Sequence, residues 1–197
     1  MKTWKNLALA TALCGMAGAA HAQGAAPTPT VEISPTEVTR IYPLNPDGTV
    51  RESSPYVESL AVPPGYTTFY ISGTNPQPIT RAVGVLGDAN YKPAVYGDIY
   101  QQTEAVLEMH KAMLAKYGLT FGDVIQAHVF MAPDPHANQG IRFADMNKVW
   151  LRYFGTKEQP NKPARSTFKV ASLAGGGSLL EIEFVAVKKI DFSKKKK

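Results

Sequence analysis

Apolar and polar positions alternate in short runs along the first third of the chain, then switch to a helical period. Val38-Thr39-Arg40-Ile41-Tyr42 alternates and is rich in β-formers, which predicts a first strand. Pro43 to Gly48 is a turn cluster with Asp47-Gly48 at its centre. Pro55 to Val62 and Tyr66 to Ile71 predict two more strands. After a long Pro/Gly/Asn-rich connection over residues 74–97, the period changes. Ile99, Thr103, Val106, Leu107, His110, Met113, Leu114 and Tyr117 fall on one face of a helix, with Asp98 as N-cap and Gly118 as the residue that ends it. Asp123 to Met131 predicts a buried strand. Phe143 to Phe154 predicts a second helix with Phe143, Met146, Val149, Trp150 and Phe154 inward. Arg165 to Val170 and Leu179 to Val187 predict two final strands joined by a Gly175-Gly176-Gly177 turn.

The predicted order is β-β-β-α-β-α-β-β, an α+β arrangement. Two helices cover one face of such a sheet. The other face must be buried against something else, which predicts an oligomer. On the last strand Glu181, Glu183 and Val185 share one face and Ile182, Phe184 and Ala186 the other. A connection as long as 74–97 is expected to be functional or an insertion.

The N-terminus changes the picture. Met1-Lys2-Thr3-Trp4-Lys5 is positive, Leu7 to Ala20 is apolar and small, and Ala20-His21-Ala22 fits a cleavage site. This pattern predicts a signal peptide over residues 1–22, cleavage between Ala22 and Gln23, and a periplasmic or secreted protein. A lipoprotein reading through Cys14 is weakened by Leu13 where a small residue is wanted. Residues 23–37 read as a flexible leader, 38–190 as the domain and 191–197 as a Lys-rich tail. Cys14 is the only cysteine, so the mature chain has no disulfide and no thiol nucleophile. Losing Lys2 and Lys5 lowers the formal charge of +5, and four of the remaining positives are Lys194 to Lys197. No basic stripe with interleaved aromatics remains, which argues against nucleic-acid binding. No apolar run is long enough for a membrane span.

Five segments in order carry a family resemblance. They are Gly97-Asp98-Ile99-Tyr100-Gln101-Gln102-Thr103; Gly118-Leu119-Thr120-Phe121-Gly122-Asp123-Val124 with Ala127-His128-Val129-Phe130; Phe143-Ala144-Asp145-Met146-Asn147 with Tyr153-Phe154-Gly155; Pro163-Ala164-Arg165-Ser166-Thr167; and Glu181-Ile182-Glu183. Over residues 53–189 the chain resembles the RidA/YjgF family of enamine and imine deaminases. The resemblance implies a chorismate-mutase-like (ferredoxin-like) homotrimer with a central barrel of sheets and a pocket at each subunit interface. It implies hydrolysis of 2-imino acids and their enamines to 2-keto acids and ammonia, of the 2-iminobutanoate/2-iminopropanoate deaminase type. It implies no metal or organic cofactor.

The same resemblance assigns roles. Arg165 matches the arginine that takes the substrate carboxylate, for which a guanidinium offers a planar fork; an interface ion pair is the plainer reading. Glu181 matches the glutamate that orients water and acts as general base. Glu183, on the same face, is its rival, and a strand salt bridge is the plainer reading. Tyr56, Ser72, Gly73, Asn147 and Thr167 match residues of the pocket wall. The plainer readings are Tyr56 as a strand aromatic, Asn147 as a structural hydrogen-bonder and the Thr167 hydroxyl as incidental. His110 is expected to pack, and no histidine spacing suggests a metal site. The connections 74–97 and 134–142 depart from the family pattern by their length, and Thr74-Asn75-Pro76-Gln77-Pro78 replaces the usual sequence after the Ser-Gly step. A non-catalytic carboxylate binder and a structural or partner-binding module are the alternative functions.

Overall fold

A computed structural model describes residues 32–190 apart from Gln139 and Gly175. The expected signal peptide, most of the leader and the Lys-rich tail lie outside the described residues. All described residues belong to the unit Glu32–Lys197. The elements are β1 (Thr39–Ile41), β2 (Ser59–Ala61), β3 (Tyr66–Thr74), α1 (Ile99–Ala115), β4 (Val124–Met131), α2 (Phe143–Trp150), β5 (Ala164–Lys169) and β6 (Leu180–Lys189). Their order is the expected one.

Two expectations shift. β1 and β2 pair only with each other, antiparallel, and stay outside the main sheet. The strand expected from Pro55 shrinks to three residues because the chain turns first. The Ser54 hydroxyl donates to the Tyr56 carbonyl at 2.7 Å and accepts from the Tyr56 N–H, so a side chain competes with ladder bonding. Tyr56 therefore sits in a turn, not a strand. The second helix ends at Trp150, four residues early, and the chain turns through Gly155, whose φ is 76°.

The main sheet has the order β3-β6-β4-β5. β6 runs antiparallel to both neighbours, while β4 and β5 are parallel, with α2 in the crossover between them. α1 starts on a capping box: Asp98 accepts from Gln101 N–H, and the Gln101 side chain accepts from Asp98 N–H. Its stripe of Val106, Leu107 and Leu114 is fully buried, and Met146, Val149 and Trp150 of α2 join it. They cover Ala127, Val129, Ile182 and Phe184 on one sheet face.

His110 is part of this core, as expected. Its Nε2 lies 2.7 Å from the Ile182 carbonyl and its ring 4.6 Å from that of Phe184. Burial pushes its pKa down to about 4, so it is neutral at pH 7.

Among the described residues nothing covers the opposite face of the sheet. Tyr70 is 82% exposed there, and Phe130 and Phe168 stack at 5.6 Å on the same face. Among the described residues no helix is long and apolar enough to cross a membrane.

Candidate functional site

The seven residues singled out from the sequence fall into two groups. Arg165 is the second residue of β5, and its register partner on β4 is Ala127, a fully buried residue of the helix-covered face. Partners across a ladder point the same way, so Arg165 projects under α2. Its Nη2 donates to Asn147 Oδ1 at 2.8 Å. Its Cζ lies 4.7 Å from the Trp150 ring centroid and 5.8 Å from that of Tyr56. Asn147 and Trp150 are three residues apart on α2 and so share a face. The Trp150 indole donates to the Pro55 carbonyl at 2.9 Å, which fixes the turn carrying Tyr56. Arg165, Asn147 and Tyr56 are thus one cluster. Thr167 lies two residues along β5 on the same face, and its Oγ1 is buried without a partner.

The guanidinium is unusual in what it lacks. Nε and Nη1 are buried and make no hydrogen bond, and among the described residues no carboxylate pairs with it. Burial lowers the pKa to about 10, and nearby Tyr56 partly opposes that shift, so the group stays protonated at neutral pH. A buried cation with free donors is a strong anion site. Its desolvation is already suffered, and a carboxylate would supply both charge and acceptors.

Ser72, Gly73 and Glu181 form the second group. Gly73 lies where β3 and β6 lose register between Ile71 and Thr74. A Cβ at Gly73 would collide with the Glu181 carboxylate, so only glycine leaves room for that side chain. Glu181 is half-buried and stands opposite Phe130. Its neighbours Leu180 and Ile182 are fully buried, so Glu181 itself projects to the uncovered face. Its rival Glu183 is occupied: Oε1 lies 2.6 Å from His128 Nδ1, and His128 Nε2 lies 3.0 Å from the Gln126 amide.

One chain does not bring Arg165 and Glu181 together. β4 separates their strands, a lateral offset of about 10 Å for two strand spacings, and they project from opposite faces. The residue that sequence reasoning missed is Trp150. It was assigned to the apolar side of the helix, and only the Asn147-to-Trp150 spacing hinted that it also faces Arg165.

Residues 50–188 match the family model described as Endoribonuclease L-PSP. DfrA of Myxococcus xanthus is 33% identical over 145 residues, 73% of this chain and 93% of its own. TdcF of Escherichia coli, whose name provisionally assigns it reactive-intermediate deaminase activity, is 30% identical over 125 residues, 64% of this chain and 91% of its own. The solved structure of YyfB of Yersinia pestis, a Rid-family protein described as of unknown function, shares the fold. Its TM-score is 0.52 at 22% identity, over 76% of this chain and 97% of its own. The chain belongs to the RidA/YjgF/RutC family.

Proposed function

We propose that the protein hydrolyses small 2-imino acids and their enamine tautomers to 2-keto acids and ammonia, acting as a homotrimer in the periplasm. The observation that carries this reading is the buried Arg165 guanidinium with two unpartnered nitrogens and no carboxylate. A 2-imino acid supplies the missing carboxylate. Tyr56 and Trp150 supply apolar faces on either side of it.

The reaction then needs water at the iminium carbon. Glu181 takes a proton from that water as its oxygen bonds to carbon. The resulting carbinolamine accepts the same proton on nitrogen. As the C–N bond breaks, Glu181 takes the hydroxyl proton and passes it to the departing ammonia, leaving the 2-keto acid, and the overall change is iminium plus water to ketone plus ammonium. Thr167 borders Arg165 on β5, while Ser72 and Gly73 leave backbone accessible beside Glu181.

Arg165 and Glu181 meet only if a second copy brings its open sheet face to the first copy's β5 edge. Family membership supports such an assembly, and the uncovered aromatic face calls for one. The N-terminal charge and apolar pattern supports export.

The test is imine hydrolysis by the purified protein, with 2-imino acid generated in situ by an amino-acid oxidase. Wild type should accelerate keto-acid formation, and Arg165→Ala and Glu181→Ala should each abolish the acceleration. An intact oligomer that binds 2-keto acids without turnover would establish a carboxylate-binding protein instead. Retention of activity in Arg165→Ala would remove the Arg165 pocket from either reading.

A further inference from the structure

A cavity of about 660 Å³ is lined by none of the seven predicted site residues. Its volume suits a small organic molecule. Its walls come from three distant segments: Val95 and Tyr96 of the long 74–97 connection, Pro135 of the 134–142 connection, and Leu173 and Leu179 of the β5–β6 turn. The two connections that exceed the family pattern therefore converge on one hollow.

The polar lining is sparse and specific. Asp134 is only 4% exposed. Its Oδ1 accepts the His136 N–H at 2.8 Å, while Oδ2 is 3.7 Å from Arg142 Nη1, beyond hydrogen-bond distance. Arg142 is committed elsewhere, with Nε and Nη2 each 2.7 Å from Asp145 Oδ2. Among the described residues Asp134 is thus a buried carboxylate whose cation contact is the 3.7 Å ion pair with Arg142, and no cation donates a hydrogen bond to it, a state that favours taking one. Ser178 also lines the cavity, is 6% exposed, and its Oγ has no partner. Besides His136, the titratable groups of the lining are Asp98, Asp134, Arg142 and Tyr96. Two are acids, and the one fixed cation, Arg142, is shared between Asp134 and Asp145, which also takes Lys148.

We infer that this cavity binds a primary ammonium carried on a small branched hydrocarbon, with the ammonium on Asp134 Oδ2 and the hydrocarbon against Val95, Leu173 and Leu179. Both a simple amine and an amino acid present that chemistry. This site is independent of the proposed deaminase pocket, because it uses none of its residues.

The test is calorimetric titration of the full chain with 3-methylbutylamine, leucine and 3-methylbutanoate. The amine should bind and the carboxylate should not. Asp134→Asn should weaken the amine about tenfold or more, the loss expected for a charge-assisted hydrogen bond. Ala94→Trp, which fills the cavity from its wall, should also remove binding, and it decides the matter should Asp134→Asn fail to fold by circular dichroism. Leucine binding beside the amine identifies the ligand as an amino acid. Exclusion of leucine identifies a simple amine. Arg165→Ala should bind the amine as wild type does. The inference fails if wild type ignores the amine, if 3-methylbutanoate binds equally well, if Ala94→Trp still binds, or if Arg165→Ala loses binding.

Discussion

Trp150 holds Arg165 from below: the guanidinium carbon stands 4.7 Å from the indole centroid, and the indole N–H is spent on the Pro55 carbonyl rather than on the arginine. The contact is therefore cation on π-face, and the tryptophan links the arginine to the turn bearing Tyr56. Trp150→Phe keeps an aromatic face but deletes the 2.9 Å hydrogen bond. Loss of that bond should cost about 1 kcal/mol and lower Tm by about 2–4 °C. Steady-state kinetics should show KM rising several-fold with kcat nearly kept, since the carboxylate anchor loosens while the water-activating group is untouched. An unchanged KM would show that the stack does not position Arg165.

Gly73→Ala should fold and yet lose turnover. The new methyl occupies the place of the Glu181 carboxylate, so the glutamate must rotate away. A drop in kcat of about a hundredfold is expected for a displaced general base, with circular dichroism and oligomer size unchanged. Near-normal kcat would argue that Glu181 does not need this position.

Subunit mixing tests whether two copies share each site. Arg165→Ala and Glu181→Ala proteins should each be inactive alone. Unfolded together at equal amounts and refolded, they should recover about one quarter of wild-type activity, because a quarter of interfaces then pair an intact Arg165 with an intact Glu181 from different copies. No recovery would place both groups in one subunit's site and contradict the strand order.

Stability should decline on mild acidification through His110. Its folded pKa of about 4 lies below the ordinary histidine value of 6.5, so between those values the unfolded chain binds more protons. The stabilisation is complete above pH 6.5 and is lost as pH falls toward 4, up to about 3 kcal/mol. Urea unfolding at pH 7 and pH 4.5 should show this loss in wild type and less of it in His110→Gln. An identical pH slope in both would assign the acid sensitivity to carboxylates.

Much of this architecture was legible from residue pattern. α1 announced itself by Asp98, Gly118 and an uninterrupted stripe, and the face-sharing of Glu181 with Glu183 follows from strand alternation alone. Three things were not legible. Tyr56 looked like a strand residue, because the Ser54 hydroxyl that bends the backbone there carries no periodicity. Trp150 looked like core, since burial and stacking on Arg165 demand the same residue type. The separation of Arg165 from Glu181 depends on β4 lying between β5 and β6. Strand order is set by tertiary contacts, which no local window contains. The residues of the expected interface pocket could not be divided between subunits from local pattern, and a single chain holds them as two separate groups.

The central position of β6 has a consequence for the order in which the protein is made and folded. Among the described residues β3 finds its only ladder partner in β6, from Tyr66 opposite Lys189 to Thr74 opposite Ile182. A nascent chain emerging from the ribosome exposes β3 more than a hundred residues before that partner exists. The sheet cannot close until β6 has been made. A polypeptide built this way keeps β3 unpaired, in a threadable form, over the whole stretch between the two strands.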